Sequence, residues 1–152
     1  MSGRDHPDVL VPPPAVYVIG FLVAVLVRNW LPRLALPFAH AIGAAVVAIA
    51  LLLFTWGVIT MKRAGTNVVP TNPSTTVVAH GPFRFTRNPL YLSMTLAYLG
   101  GALWLRATTA LVLLPLLIIV MHFLVITREE RYLEAKFGDD YRNYRQRVRR
   151  WL

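Results

Sequence analysis

Two short polar strings carry most of the chemistry available to this chain: Arg84, Arg87, Asn88 and Tyr91 in the first, Glu129 and Glu130 in the second. A guanidinium grips a carboxylate through two parallel hydrogen bonds, and a carboxylate accepts from the paired hydroxyls of a ribose or from an ammonium. Together with an amide and a phenol, this set suits a small zwitterionic, nucleotide-like ligand. His122 lies seven residues before Glu129, about 20° away around an ideal helix. It would face the same site, so His122, Arg128 and Glu129 form the candidate catalytic group. His80 is a further candidate for ligand contact, and His40 reads as an interfacial residue. The chain has no cysteine, which excludes thiol nucleophiles, cysteine-bound zinc, iron–sulfur clusters and disulfides. No histidine has a partner at metal-ligand spacing, so no metal site is expected.

What must position these residues is a membrane fold. Of 152 residues, 56% are hydrophobic and 15% charged, and the mean hydropathy is +0.52, too apolar for a soluble domain of this size. The seven acidic residues sit at Asp5 and Asp8 and then at Glu129, Glu130, Glu134, Asp139 and Asp140, with none between. The sequence predicts a single all-α unit over 1–152, a polytopic membrane protein with about four transmembrane helices and a cytosolic amphipathic tail. The expected spans are 15–31, 39–61, 90–105 and 108–127. The second is uncharged over 23 residues, about 34 Å as a helix. Pro115 is expected to kink the fourth.

Residues 62–89 form a long connection rich in Gly, Pro, Thr and Asn, and a connection of that length is usually functional when it is not disordered. Only Arg106-Ala107 separates the third and fourth runs, so they must fold as a tight hairpin. Asn88 is 18 residues before Arg106 and Glu129 is 23 after it, an offset of about 7.5 Å along the axis. The two polar strings should therefore meet at one membrane boundary. Beyond them, 128–152 reads as two helices with Gly138 as the break and Asp139-Asp140 as the cap. The second carries Tyr141, Tyr144, Val148, Trp151 and Leu152 at helical spacing and is expected to lie on the interface.

Basic residues cluster after the second and fourth spans, which predicts an inner-membrane protein with both termini cytoplasmic. The formal charge of +9 follows from that orientation and from contact with membrane lipids, so no nucleic-acid partner is expected.

The strings Gly81-Pro82-Phe83-Arg84, Arg87-Asn88-Pro89-Leu90-Tyr91, Arg128-Glu129-Glu130-Arg131 and Phe137-Gly138-Asp139-Asp140-Tyr141 occur in order, divided by the helical hairpin. In this the chain resembles the integral-membrane methyltransferases typified by isoprenylcysteine carboxyl methyltransferase and the phospholipid methyltransferases. The resemblance implies methyl transfer from S-adenosyl-L-methionine to a lipophilic small-molecule acceptor at the cytosolic face. It assigns cofactor binding to Gly81, Arg87, Asn88, Pro89, Tyr91, Glu129 and Glu130, with His80 as a weaker member. Asn88 stands where members often have His, which keeps a hydrogen-bonding amide and removes a titratable group. The Pro usual after the terminal Val is replaced by Arg149. Two other readings compete: a nicotinamide-dependent sterol-type reductase, disfavoured by the short chain, and a non-enzymatic membrane protein in which the polar cluster is incidental.

Overall fold

The computed structural model describes residues 11–69 and 72–151; Asp5, Asp8 and Leu152, named above, lie outside the described residues. Within the described residues every regular element is helical. The long elements are α1 (Pro13–Leu26), α2 (Ala39–Arg63), α3 (Pro89–Trp104), α4 (Thr108–Met121), α5 (Thr127–Phe137) and α6 (Asp139–Arg147). Short 3-10 turns cover Arg28–Trp30 and Gly81–Arg84. Two rods, Ala39–Arg63 and Thr108–Phe137, are long and apolar enough to cross a membrane.

α1 opens on prolines at its first positions, where missing amide hydrogens cost nothing because those donors have no helical partner. It stops earlier than the expected 15–31 span. Leu31 precedes Pro32 and is extended, with φ −121° and ψ 151°, as the proline ring demands of its predecessor. The 14 residues of α1 reach about 21 Å, short of a ~30 Å hydrocarbon core. The 16 residues of α3 reach about 24 Å. α2 runs from the expected start to Arg63, two residues beyond the expected end.

α2 and α3 approach until their main chains touch. A Cβ at Gly43 would lie 2.6 Å from the carbonyl oxygen of Gly100 and 2.5 Å from the amide nitrogen of Trp104, so only glycine permits the crossing. Such close approach at small residues replaces the hydrophobic drive that lipid removes. The exposed surface fits that environment: Leu26 is 81% and Leu52 72% exposed, while Ala24, Ala102 and Ala110 are fully buried.

The hairpin turns where expected. Arg106 adopts a left-handed φ of 51°, and the Ala107 amide donates to the Ala102 carbonyl at 2.9 Å. The same end of the bundle is tied by the Thr108 hydroxyl donating to Pro32 O at 2.6 Å and the Leu34 amide to Arg106 O at 3.2 Å. Pro115 lies inside α4, but the departure from α geometry falls later, in a π turn over His122–Ile126. A π turn takes in an extra residue and so rotates everything after it by about 100° relative to a regular helix. The expected alignment of His122 with Glu129 does not survive that rotation.

Gly138, with φ 54°, joins α5 to α6. Asp139 and Asp140 occupy the first turn of α6 and do not cap it; Asp139 instead pairs with Arg142 at 2.7 Å. Tyr141, Tyr144 and Val148 are buried against Val78 and Phe83 of the connecting segment. The apolar face of the tail is thus spent on protein, which corrects the expectation of a helix lying on lipid. α6 ends at Arg147, Val148 is extended, and Trp151 packs into the main helical core.

Candidate functional site

The end of the bundle opposite the hairpin turn gathers both polar strings. Asn88 precedes α3, and Pro89 opens it, fixing the helix start because proline lacks the amide that an internal position would need. This puts Tyr91 in the first turn, where its hydroxyl donates to Glu129 Oε2 at 2.6 Å. One residue on, the buried Glu130 carboxylate sits between two guanidiniums. Arg87 Nη1 lies 3.0 Å from Oε1, with both side chains only 9% exposed. Arg150 forks onto the same carboxylate, Nε to Oε1 at 3.0 Å and Nη2 to Oε2 at 2.6 Å. Bidentate charged bonds of this kind are the strong ones.

The Glu130 carboxylate also holds the Arg150 guanidinium above its ordinary pKa. Burial first, and then the Glu130 charge, push the Tyr141 phenol up to about 12, so it stays a neutral donor throughout the physiological range.

Arg150 reaches this carboxylate because the chain end runs extended beside residues 86–88. The Arg87 main-chain N–H donates to Arg149 O at 2.9 Å, while the Thr86 hydroxyl and the Asn88 side-chain Nδ2 both donate to Arg150 O, at 3.0 and 2.9 Å. Arg87 keeps a buried Nε with no hydrogen-bond partner. A buried donor left unmade costs about 1–3 kcal/mol, a cost that an acceptor at this nitrogen would relieve.

Two cavities meet here. One of about 350 Å³ is mainly apolar, bounded by Pro13, Phe54, Val69 and Met94. The other, about 70 Å³, is bounded by Thr66, Ser74, Glu130 and Tyr141. Their common wall is Met61, Phe83, Arg87, Asn88 and Glu129. A third, groove-like space of about 390 Å³ runs between α1 and α3 past Tyr17 and Phe21, and shares Pro14 and Met94 with the large cavity.

Of the residues singled out from the sequence, Arg87, Asn88, Tyr91, Glu129 and Glu130 are brought together, and Pro89 lines the large cavity. Others stand apart. Arg84 is exposed and lies over the ring of Phe85, 4.9 Å from its centroid, not against the glutamates. His80 is exposed, and its carbonyl accepts from the Phe83 amide. Gly81 lines neither cavity. A Cβ there would lie 2.7 Å from Thr60 Oγ1, so its role is close packing on α2. His122 meets the Arg150 guanidinium, with Nη1 3.3 Å from Nε2, and does not reach Glu129 directly; it lines neither cavity, and nor does Arg128.

The residues missed are Thr86, Tyr141 and Arg150. With its second helix expected to carry through to Leu152, the tail gave no reason to bring Arg150 to the glutamates. The extended Val148 that redirects it has no signature in the spacing.

A sequence model of phospholipid methyltransferases matches residues 38–140 of the chain. A Haemophilus influenzae protein described only as uncharacterized is 49% identical over 63 residues, which is 41% of this chain and the whole of that protein. No solved structure matches.

Proposed function

The chain belongs to the phospholipid methyltransferase family, and on that premise we propose that it moves the methyl group of S-adenosylmethionine onto a lipophilic acceptor at the cytosolic boundary of the membrane. The family supports a membrane methyltransferase in general terms. The finer reading is carried by one observation: a polar niche and an apolar cavity share a wall built from Arg87, Asn88 and Glu129.

That donor set fits the cofactor. Arg87, with its unpartnered Nε, would hold a carboxylate, and Glu130 an ammonium. Asn88, Tyr91 and Glu129 would contact the ribose and the reacting end. When bound, S-adenosylmethionine supplies a methyl group already activated for in-line displacement. The protein then needs no nucleophile of its own, and alignment alone is worth about 7–11 kcal/mol.

Glu129, whose carboxylate accepts from the Tyr91 hydroxyl, would remove a proton from the acceptor. This favours an amine or a thiol. A carboxylate acceptor would meet Glu129 and Glu130 at close range, and like charges there oppose binding. His122 and Arg128 line neither cavity and are given no part in the reaction.

The acceptor's apolar portion would reach the site from the bilayer through the groove between α1 and α3. We further propose four crossings, the short α1 and α3 being accommodated by local thinning of the bilayer, in the inner membrane with both termini cytoplasmic.

The test is transfer of labelled methyl from S-adenosylmethionine into a lipid extract by the purified chain. Incorporation into an amine- or thiol-bearing lipid is expected; consumption of NADPH with an unsaturated lipid, and no methyl incorporation, would point to a reductase instead. For the topology, a cysteine at Asn143 should react with a membrane-impermeant reagent only once the inner membrane is opened.

A further inference from the structure

The tail is held down by the same groups that face the site. Arg149 and Arg150 give their carbonyls to Arg87, Thr86 and Asn88, and Arg150 gives its guanidinium to Glu130. Resting on the cofactor reading above, we propose that Arg150 is a specificity-determining residue: it occupies Glu130 as the stand-in for a ligand ammonium, and the strand 148–151 lifts only for a ligand whose own cation displaces it.

Three observations carry this. The polar niche beside Glu130 is about 70 Å³, whereas small-molecule pockets run to roughly 300–1,000 Å³. With the strand down, the niche is too small for a nucleoside, so something at its edge must move. Second, Glu130 already balances two cations. The Arg87 side chain is 9% exposed and lies two residues before α3, while the Arg150 side chain is 30% exposed, beyond the end of α6. A third cation reaches Glu130 only by expelling one, and Arg150 is the more exposed of the two. Third, Arg87, whose buried Nε has no hydrogen-bond partner, is itself a wall of the same space. Exchange at Glu130 and capture of a carboxylate at Arg87 would seat the two charged groups of an amino acid together, a combination that neither adenosine nor a simple amine offers.

The experiment uses the full chain in nanodiscs. It has no native cysteine, so Arg84→Cys and Arg149→Cys, both at exposed positions, accept spin labels for a pulsed distance measurement. S-adenosylhomocysteine should lengthen the distance and saturating adenosine should not. Arg150→Met should show the longer distance without ligand and bind S-adenosylhomocysteine about tenfold tighter, since a closed strand reduces apparent affinity by the fraction of open protein. Arg150→Lys keeps the charge and loses the fork; it should bind about threefold tighter and decides the matter if the Met variant fails to fold. Binding by calorimetry without lengthening, equal lengthening by adenosine, or unchanged or weaker affinity in the folded variants overturns the gate and leaves the cofactor reading standing. If neither the parent chain nor Arg150→Met binds S-adenosylhomocysteine, the cofactor reading itself falls and takes the gate with it.

Discussion

The two ends of the helical bundle are built on opposite principles. At the hairpin end, Thr108 and Leu34 reach main-chain carbonyls, no acidic side chain is present, and Gly43 meets Gly100 with no side chain between. At the other end, Glu129 and Glu130 hold Tyr91, Arg87 and Arg150. The first end spends its polar groups on closing the backbone. The second keeps charge in a partly buried setting, which is costly unless that charge has work to do. The lesson is that substitutions at the first end should register as stability alone, and those at the second as affinity or rate, with or without a loss of stability.

The strongest test of that division is Glu130→Ala. It should weaken S-adenosylmethionine binding by at least tenfold, about 1.4 kcal/mol, measured by calorimetry. It should also cost about 3 kcal/mol of stability, because two guanidiniums lose their shared partner. Unchanged affinity would dissolve the contrast between the ends. Next comes Gly43→Ala, whose added methyl meets the α3 backbone. Its cost is that of overpacking, about 2 kcal/mol, visible as a lower midpoint of thermal unfolding in detergent, with activity per folded molecule intact; a specific loss of activity would mean the ends are coupled. Tyr91→Phe removes the hydroxyl from Glu129 and should lower kcat/KM for the acceptor roughly tenfold while leaving the unfolding midpoint nearly unmoved. The smallest effect is expected at Arg106, where left-handed backbone favours glycine. Arg106→Gly should gain about 1 kcal/mol of stability, with unchanged methyl transfer.

Much of this arrangement was legible in the residues themselves. The uncharged run from Ala39 and the abrupt Lys62-Arg63 gave α2 within two residues, because hydrophobicity over a full crossing is a strong constraint. Counting from Arg106 brought Asn88 and Glu129 to one boundary, and both line the large cavity. Legibility failed where a local backbone choice depends on tertiary contact. The π turn at His122 has no compositional mark, so an angle computed for a regular helix misplaced that imidazole. Trp151 fitted a helical repeat, yet the helix stops at Arg147 because the chain beyond it finds hydrogen bonds on residues 86–88. Gly81 was assigned to a ligand when its neighbour is Thr60; a glycine in a motif does not announce which atom it must clear.

Where the main chains of α2 and α3 abut, no acyl chain can slip between them at that level. Those two helices form a closed seam there, whereas beside α1, only 14 residues long, a groove stays open past Tyr17 and Phe21. One pair of missing side chains thereby closes one flank of the bundle at that level and leaves the groove on another.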